Sequence, residues 1–120
     1  MKQIKIGGSG FQGSEIALGI MRMGNLSVDS AIKILETAHE LGINYIDSAN
    51  VYGGGLAEKK LGAALKKSSL ARSDFYIQSK GGIYRNPDQD NHITRYDFSK
   101  SNLIATVNGI LKRMGIDYLD

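Results

Sequence analysis

The sequence predicts an α/β fold with a parallel sheet, because strand-like and helix-like segments alternate along the chain. After two short apolar runs near the N-terminus, helical and extended patterns follow one another through residue 120. The composition, 42% apolar and 22% charged over 120 residues, suits one globular domain with no internal boundary. Parallel strands joined by helices form either an open doubly wound sheet or a closed (β/α)8 barrel, and the alternation fits both.

The first segment is predicted to be a strand pair. Residues 3 to 6 and 16 to 18 are short apolar-rich runs separated by a glycine-rich loop. Gly8, Gly10 and Gly13 in this loop have the G-x-G-x-x-G spacing of dinucleotide-binding folds. That motif also needs a helix opening at the third glycine and a carboxylate about twenty positions further on, at the end of the next strand. Here Gly19 interrupts the segment after Gly13, and a helix precedes the strand that ends at Asp47, so the pattern does not favour a Rossmann fold, which is kept as an alternative.

Three helices are predicted from apolar residues that recur at helical spacing, and the first and third of them lie between recognisable caps. The first begins after Ser27 and stops at Gly42, the second covers residues 57–67, and the third begins after Ser99 and stops at Gly115. The stripe of the third helix that we expect to face the core is Leu103, Val107, Ile110 and Met114.

Two short strands each deliver one ionisable residue at their carboxyl end. Residues 43–46 lead to Asp47, and residues 75–79 lead to Lys80. If these strands are parallel neighbours, Asp47 and Lys80 emerge at the same edge of the sheet. Alternation along a strand puts Asp47 on one face with Tyr45, and Lys80 on one face with Gln78. The residues expected on the opposite, helix-covered face are Ile46, Phe75 and Ile77.

The remaining segments carry weaker signals. Residues 81–97 are polar and long enough to predict a loop at a functional rim. Residues 116–120 resemble the start of another strand. Both histidines, His39 beside the first helical stripe and His92 in the polar loop, are predicted to be surface residues.

Tyr52 lies between Asp47 and Lys80 in the sequence, and the three side chains suggest a proton-transfer site. A phenol titrates near pH 10 and is a poor acid at neutral pH unless a cation stabilises its phenolate. Lys80 is the candidate cation, and Asp47 is the carboxylate that would hold it charged and oriented. Such a tuned acid suits protonation of a carbonyl oxygen while a cofactor delivers hydride to the carbon.

Charge and composition argue against several other classes of protein. The net charge is +3, and basic pairs such as Lys112-Arg113 are scattered along the chain, which indicates solvated helix faces rather than nucleic-acid binding. The chain has no cysteine, which excludes disulfides and thiolate metal sites, and we expect no metal. Because no leader-like or membrane-spanning apolar run is present, we expect a cytoplasmic protein without membrane contact.

Three segments carry a resemblance to a known family. They are IDSANVYGGGLAEKKLGAAL, the strand end Ser79-Lys80-Gly81, and LKRMGIDYLD, in that order. Together they resemble the N-terminal part of an aldo-keto reductase, with IMRMG and RYDFSKSNLIATVNGIL closest to its bacterial branch. The resemblance implies a (β/α)8 TIM barrel, of which this chain carries the N-terminal hairpin and roughly the first three to four βα units.

The resemblance also implies an activity, the NADPH-dependent reduction of an aldehyde or ketone to an alcohol. By the family's pattern Tyr52 is the general acid, and Lys80 and Asp47 tune it. The cofactor would be NADPH, and the partner would be a small-molecule carbonyl substrate.

The same resemblance places four residues near the nicotinamide and its ribose. They are Gly19, Ile20, Met21 and Asp47. In the family the position of Ile20 is often threonine and that of Met21 is often aromatic, so this chain departs from the pattern at both.

Two features of the family are missing from these residues. They are the fourth catalytic residue, a histidine whose place neither His39 nor His92 occupies, and the segment that grips the adenosine phosphate. A closed barrel typically needs about 250 residues. We therefore expect the chain to be part of a longer reductase and inactive by itself. The alternative is a non-catalytic barrel that binds NADPH as a sensor or interaction module.

Overall fold

A three-stranded parallel sheet and two antiparallel hairpins are present in the computed structural model, which describes residues 1–85 and 94–120. The strands are β1 (Gln3–Lys5), β2 (Gln12–Ser14), β3 (Leu18–Gly19), β4 (Tyr45–Asp47), β5 (Tyr76–Gln78), β6 (Ile83–Arg85) and β7 (Thr94–Tyr96). The helices are α1 (Val28–Glu40), α2 (Leu56–Lys67) and α3 (Lys100–Met114). The parallel sheet has the order β3-β4-β5, with α1 and α2 as its crossover helices, which confirms the predicted α/β class.

The N-terminal strand pair differs from the prediction. Strand β1 pairs with β2, not with residues 16–18, and the following β3 lies beside β4 in the parallel sheet. The reason is a tight turn with glycines at positive φ, which returns the chain early enough for Gln3 to face Ser14. The hairpin is tied to the start of β4, because Ser14 N–H donates to Asn44 Oδ1 at 2.7 Å.

The glycine-rich loop is therefore a hairpin turn and not a dinucleotide-binding loop. Gly13 lies inside β2 and is followed by more strand and turn, whereas the motif needs a helix to open there. The Rossmann alternative is excluded on this geometry.

The predicted helix caps are confirmed. Ser27 Oγ accepts a hydrogen bond from Ser30 N–H at 3.1 Å, and Ser99 Oγ accepts one from Asn102 N–H at 3.3 Å. Past the helix ends, Gly42 and Gly115 take φ values of 75° and 67° that favour glycine.

The core forms between the parallel sheet and its helices, on the face that the strand alternation predicts. Ile46 and Ile77 are fully buried and Phe75 is nearly so. They belong to one apolar cluster with helix residues such as Leu35 and Leu61. His39 is exposed at the edge of this layer, with its ring 6.0 Å from that of Phe75, as a surface histidine should be.

Only half of the predicted core stripe of α3 is buried. Ile110 and Met114 are 2% and 3% exposed, but Leu103 and Val107 are 37% and 44% exposed. The C-terminal half of α3 packs against α2, where Gly62 lets the Met114 backbone approach closely, whereas Leu103 lies near Gly81 and stays partly exposed there.

Two predictions for the remaining segments were wrong. The region 81–97 is not only loop, since β6 and β7 form an antiparallel pair within it. Residues 116–120 form no strand. Asp120 N–H nevertheless donates to the Ile77 carbonyl at 3.1 Å, so the end of this segment lies beside β5. His92 lies outside the described residues.

Candidate active site

Asp47 and Lys80 meet at the carboxyl edge of the parallel sheet. The register of β4 and β5 puts Asp47 opposite Gln78, and Lys80 follows two residues later on the same face. Lys80 Nζ donates to Asp47 Oδ1 at 2.6 Å and to the Ser48 carbonyl oxygen at 2.8 Å. Two acceptors from consecutive residues at the carboxyl end of β4 thus hold one ammonium group in place.

Tyr52 reaches the same ammonium from a short 3-10 turn, Tyr52–Gly55. Lys80 Nζ lies 3.4 Å from Tyr52 Oη and 5.2 Å from the centre of its ring. The turn contains three glycines with φ of 58°, 62° and 89°, a backbone path that other residues rarely adopt. The three residues singled out in the sequence therefore form one cluster.

Gln78 and Tyr45 extend the cluster, and the sequence analysis did not assign them to the site. Tyr45 Oη donates to Gln78 Oε1 at 2.7 Å, and Gln78 Nε2 in turn donates to Asp47 Oδ1 in a short hydrogen bond. The alternation that puts Tyr45 beside Asp47 and Gln78 beside Lys80 was the signal available for them.

The cluster favours the charged forms of both Asp47 and Lys80. Partial burial raises the pKa of Asp47, but hydrogen bonds from Lys80 and Gln78 outweigh it and hold the pKa below the ordinary carboxyl value. Burial also lowers the pKa of Lys80, but the bonds to Asp47 and Tyr52 outweigh it and raise the pKa. Since the Lys80 side chain is 49% exposed, solvent screens the pair and its contribution to stability is small.

The residues predicted near a nicotinamide line the edge of the sheet beside Asp47. Gly19 faces Asp47 in the parallel register, and the space where a side chain would stand is open. Met21 is 58% exposed, whereas the side chain of Ile20 is buried in the core. The backbone N–H of Ile20 donates to the Asp47 carbonyl at 3.1 Å. Gly19 and Met21 thus present open surface at this point of the chain, whereas the buried side chain of Ile20, also predicted to contact the cofactor, does not.

A buried ion pair behind the cluster was not predicted. Glu58, in the first turn of α2, is fully buried, and its Oε2 accepts from Arg113 Nε at 2.6 Å. Its other oxygen accepts from Ser79 Oγ at 3.1 Å. The prediction that Arg113 is a solvated surface cation was wrong, because its guanidinium binds the buried carboxylate of Glu58.

None of the helices in the described ranges has the length and hydropathy of a membrane span.

Residues 15–120 match the model of the aldo/keto reductase family. The chain belongs to this family. The resemblance inferred from the sequence motifs is thereby confirmed, and the matched range contains every residue of the cluster described above.

A plant dehydrogenase and a bacterial oxidoreductase align with almost the whole chain. L-galactose dehydrogenase of Arabidopsis thaliana is 31% identical over 96% of this chain and 35% of its own length. An uncharacterized oxidoreductase of Bacillus subtilis is 34% identical over the whole chain and 37% of its own length. The chain thus spans just over a third of these curated relatives.

A solved structure confirms the barrel assignment. The holo form of an aldo-keto reductase from Bacillus halodurans superposes with a TM-score of 0.86 at 33% identity, over 100% of this chain and 38% of its own. The chain forms the N-terminal portion of a (β/α)8 barrel, with β1 and β2 as its hairpin. Within the described residues, β3-α1, β4-α2 and β5-α3 are successive βα units.

Proposed function

We propose that the complete protein reduces the carbonyl group of a small aldehyde or ketone with NADPH, and that Tyr52 donates the proton. The observation that carries this proposal is the single ammonium group of Lys80, which contacts the Asp47 carboxylate at 2.6 Å and the Tyr52 hydroxyl at 3.4 Å. Membership of a family with dehydrogenase and oxidoreductase relatives supports it.

The cluster accounts for how a tyrosine would act as an acid near neutral pH. When Tyr52 gives its proton to the carbonyl oxygen, a phenolate forms next to the Lys80 ammonium, which stabilises it electrostatically. Asp47 keeps Lys80 charged and oriented, and Gln78 and Tyr45 hold Asp47 in turn. Because these partners are in place before reaction, the stabilisation needs little rearrangement.

NADPH, when bound, would supply the hydride. Gly19, Met21 and Asp47 are the residues that would hold its nicotinamide end, since they line the open edge of the sheet beside Lys80. The choice of NADPH over NADH is part of the proposal and is measured by titrating the complete gene product with each nucleotide.

The test of the proton donor is Tyr52→Phe in the complete gene product. Removing the hydroxyl leaves the ring in place, so we expect kcat to fall about 100- to 10,000-fold while the Kd for NADPH stays unchanged. The matched control is Tyr118→Phe, since this tyrosine stacks on Arg72 away from the cluster and its loss should leave kcat unchanged.

Two results would count against the proposal. Turnover retained in Tyr52→Phe would show that another group donates the proton. A wild-type protein that binds NADPH stoichiometrically but reduces no member of a broad aldehyde and ketone panel would instead support the non-catalytic sensor.

A further inference from the structure

The Glu58 carboxylate joins three elements of the fold behind the cluster. It stands at the start of α2, accepts from Arg113 of α3 at 2.6 Å, and accepts from Ser79 after β5 at 3.1 Å. The glutamate side chain is fully buried, whereas the arginine side chain is 27% exposed. A buried charge is costly unless its oxygens are paired, and here each oxygen has a donor.

The hydrogen bond from Ser79 connects Glu58 to the strand end that carries Lys80. Ser79 immediately precedes Lys80, so its hydroxyl anchors the backbone from which the lysine side chain projects. The same strand end is held from the other side, because Asn50 N–H donates to the Lys80 carbonyl at 3.2 Å. The position of Lys80 Nζ therefore depends on a strand end that Glu58 helps to hold.

The ion pair with Arg113 connects Glu58 to the turn that carries Tyr52. This turn ends at Gly55, which is buried, and a side chain built there would come within 2.8 Å of Arg113 Cδ. The arginine stem thus rests directly on the glycine backbone. Since Arg113 is itself held by Glu58, the ion pair supports the turn as well as the strand end.

We propose that the Glu58–Arg113 pair is a positioning device that sets the approach of Tyr52 to Lys80. The proposal rests on the proposed reductase function and deepens it by naming residues that act through the catalytic groups. Neither Glu58 nor Arg113 forms a hydrogen bond with Asp47, Tyr52 or Lys80 in the structure, so their effect on the reaction would be indirect.

The test is the double variant Glu58→Gln/Arg113→Met in the complete gene product. Removing both charges together avoids leaving one buried charge without its partner, which is the strongly destabilising case. If the pair positions the site, kcat should fall at least about tenfold with KM for the carbonyl and Kd for NADPH unchanged, because small misplacements of reacting groups have large effects on rate.

The matched control is a second ion pair of the same length at the opposite end of β5. Arg72 Nη2 lies 2.6 Å from Asp120 Oδ2, and both side chains are mostly buried. The double variant Arg72→Gln/Asp120→Asn should change the midpoint of urea unfolding but leave kcat unchanged. An equal loss of kcat in both double variants, or wild-type kcat in the folded first one, would overturn the proposal.

A crystal structure of the first double variant separates this proposal from the proposed function. If the wild-type protein reduces no carbonyl, the reductase function fails, and the distances from Lys80 Nζ to Asp47 Oδ1 and Tyr52 Oη decide the positioning role. Distances that lengthen would support it, and distances that stay as in the wild type would overturn it.

Discussion

Gly62 occupies the closest contact between α2 and α3, and Gly62→Ala is the substitution whose effect the structure defines most directly. A methyl group built at this position would lie 2.5 Å from the carbonyl carbon of Met114 and 2.7 Å from its Cα, with the carbonyl oxygen nearer still. These are backbone atoms of the last turn of α3, so no side-chain rotation relieves the overlap.

The expected cost follows from the geometry. Ordinary carbon contacts lie at about 3.5 Å, so the two helices would have to separate by about 1 Å. Overpacking of a well-packed site costs about 1–3 kcal/mol, and a backbone obstacle favours the upper part of that range. The higher helix propensity of alanine offsets about 1 kcal/mol of this cost. The net loss in the free energy of unfolding should be about 1–2 kcal/mol.

Urea unfolding of the complete gene product, followed by circular dichroism, measures this loss. Gly109→Ala is the matched control, since it makes the same change in α3 where the new methyl would meet only the guanidinium of Arg113, whose nearest atom, Nη1, lies at 2.9 Å. Because Glu58 holds this guanidinium through Nε and not through Nη1, a small shift of the side chain relieves the contact, and the free energy of unfolding should stay within about 1 kcal/mol of the wild-type value. Gly62→Ala with wild-type stability or better would refute the reasoning.

Three further outcomes follow from the charged groups. Folding lowers the pKa of Asp47, so the stabilisation from its carboxylate is complete above the ordinary pKa of aspartate and is lost as pH falls through the pKa of the folded state. Folding raises the pKa of Lys80, so the stabilisation from its ammonium group is complete below the ordinary pKa of lysine and is lost as pH rises through the pKa of the folded state. Urea unfolding from pH 2 to 11 should therefore show the largest difference between wild type and Lys80→Met between about pH 5 and 9, and a constant difference would contradict the assignment. The same Lys80→Met variant should lower kcat at least about 100-fold in a carbonyl-reduction assay, and near-wild-type turnover would remove the lysine from the mechanism. Asp120→Asn should destabilise the fold by about 1–3 kcal/mol, since its carboxylate pairs with Arg72 at 2.6 Å and accepts from Ile77 N–H at 2.9 Å, and an unchanged unfolding midpoint would argue against that contact.

Much of the candidate site was predictable because strand geometry is local. Side chains alternate along β4 and β5, so the position of Asp47 and Lys80 at one edge follows once the strands are parallel neighbours. Tyr52 was predictable from its place between them and the glycines that follow. The role of each of these residues in a reaction stays a prediction.

The errors arose where pairing joins distant residues. The choice of β2 rather than residues 16–18 as the partner of β1 depends on the glycine turn and on the contact between Ser14 and Asn44. In α3 the helical stripe was correct as a pattern, but burial of its members depends on which helix lies beside them.

The sequence by itself determined the α/β class, the three helices, the caps of the first and third helices, and the alternation that brings Asp47 and Lys80 to one face. These depend on periodicity and capping, which act over a few residues. Only the tertiary structure decided that Gln78 holds Asp47, and that Glu58 and Arg113 meet behind the site. The partners in those contacts are 31 and 55 residues apart, and no local pattern specifies which buried acceptor a distant donor will reach.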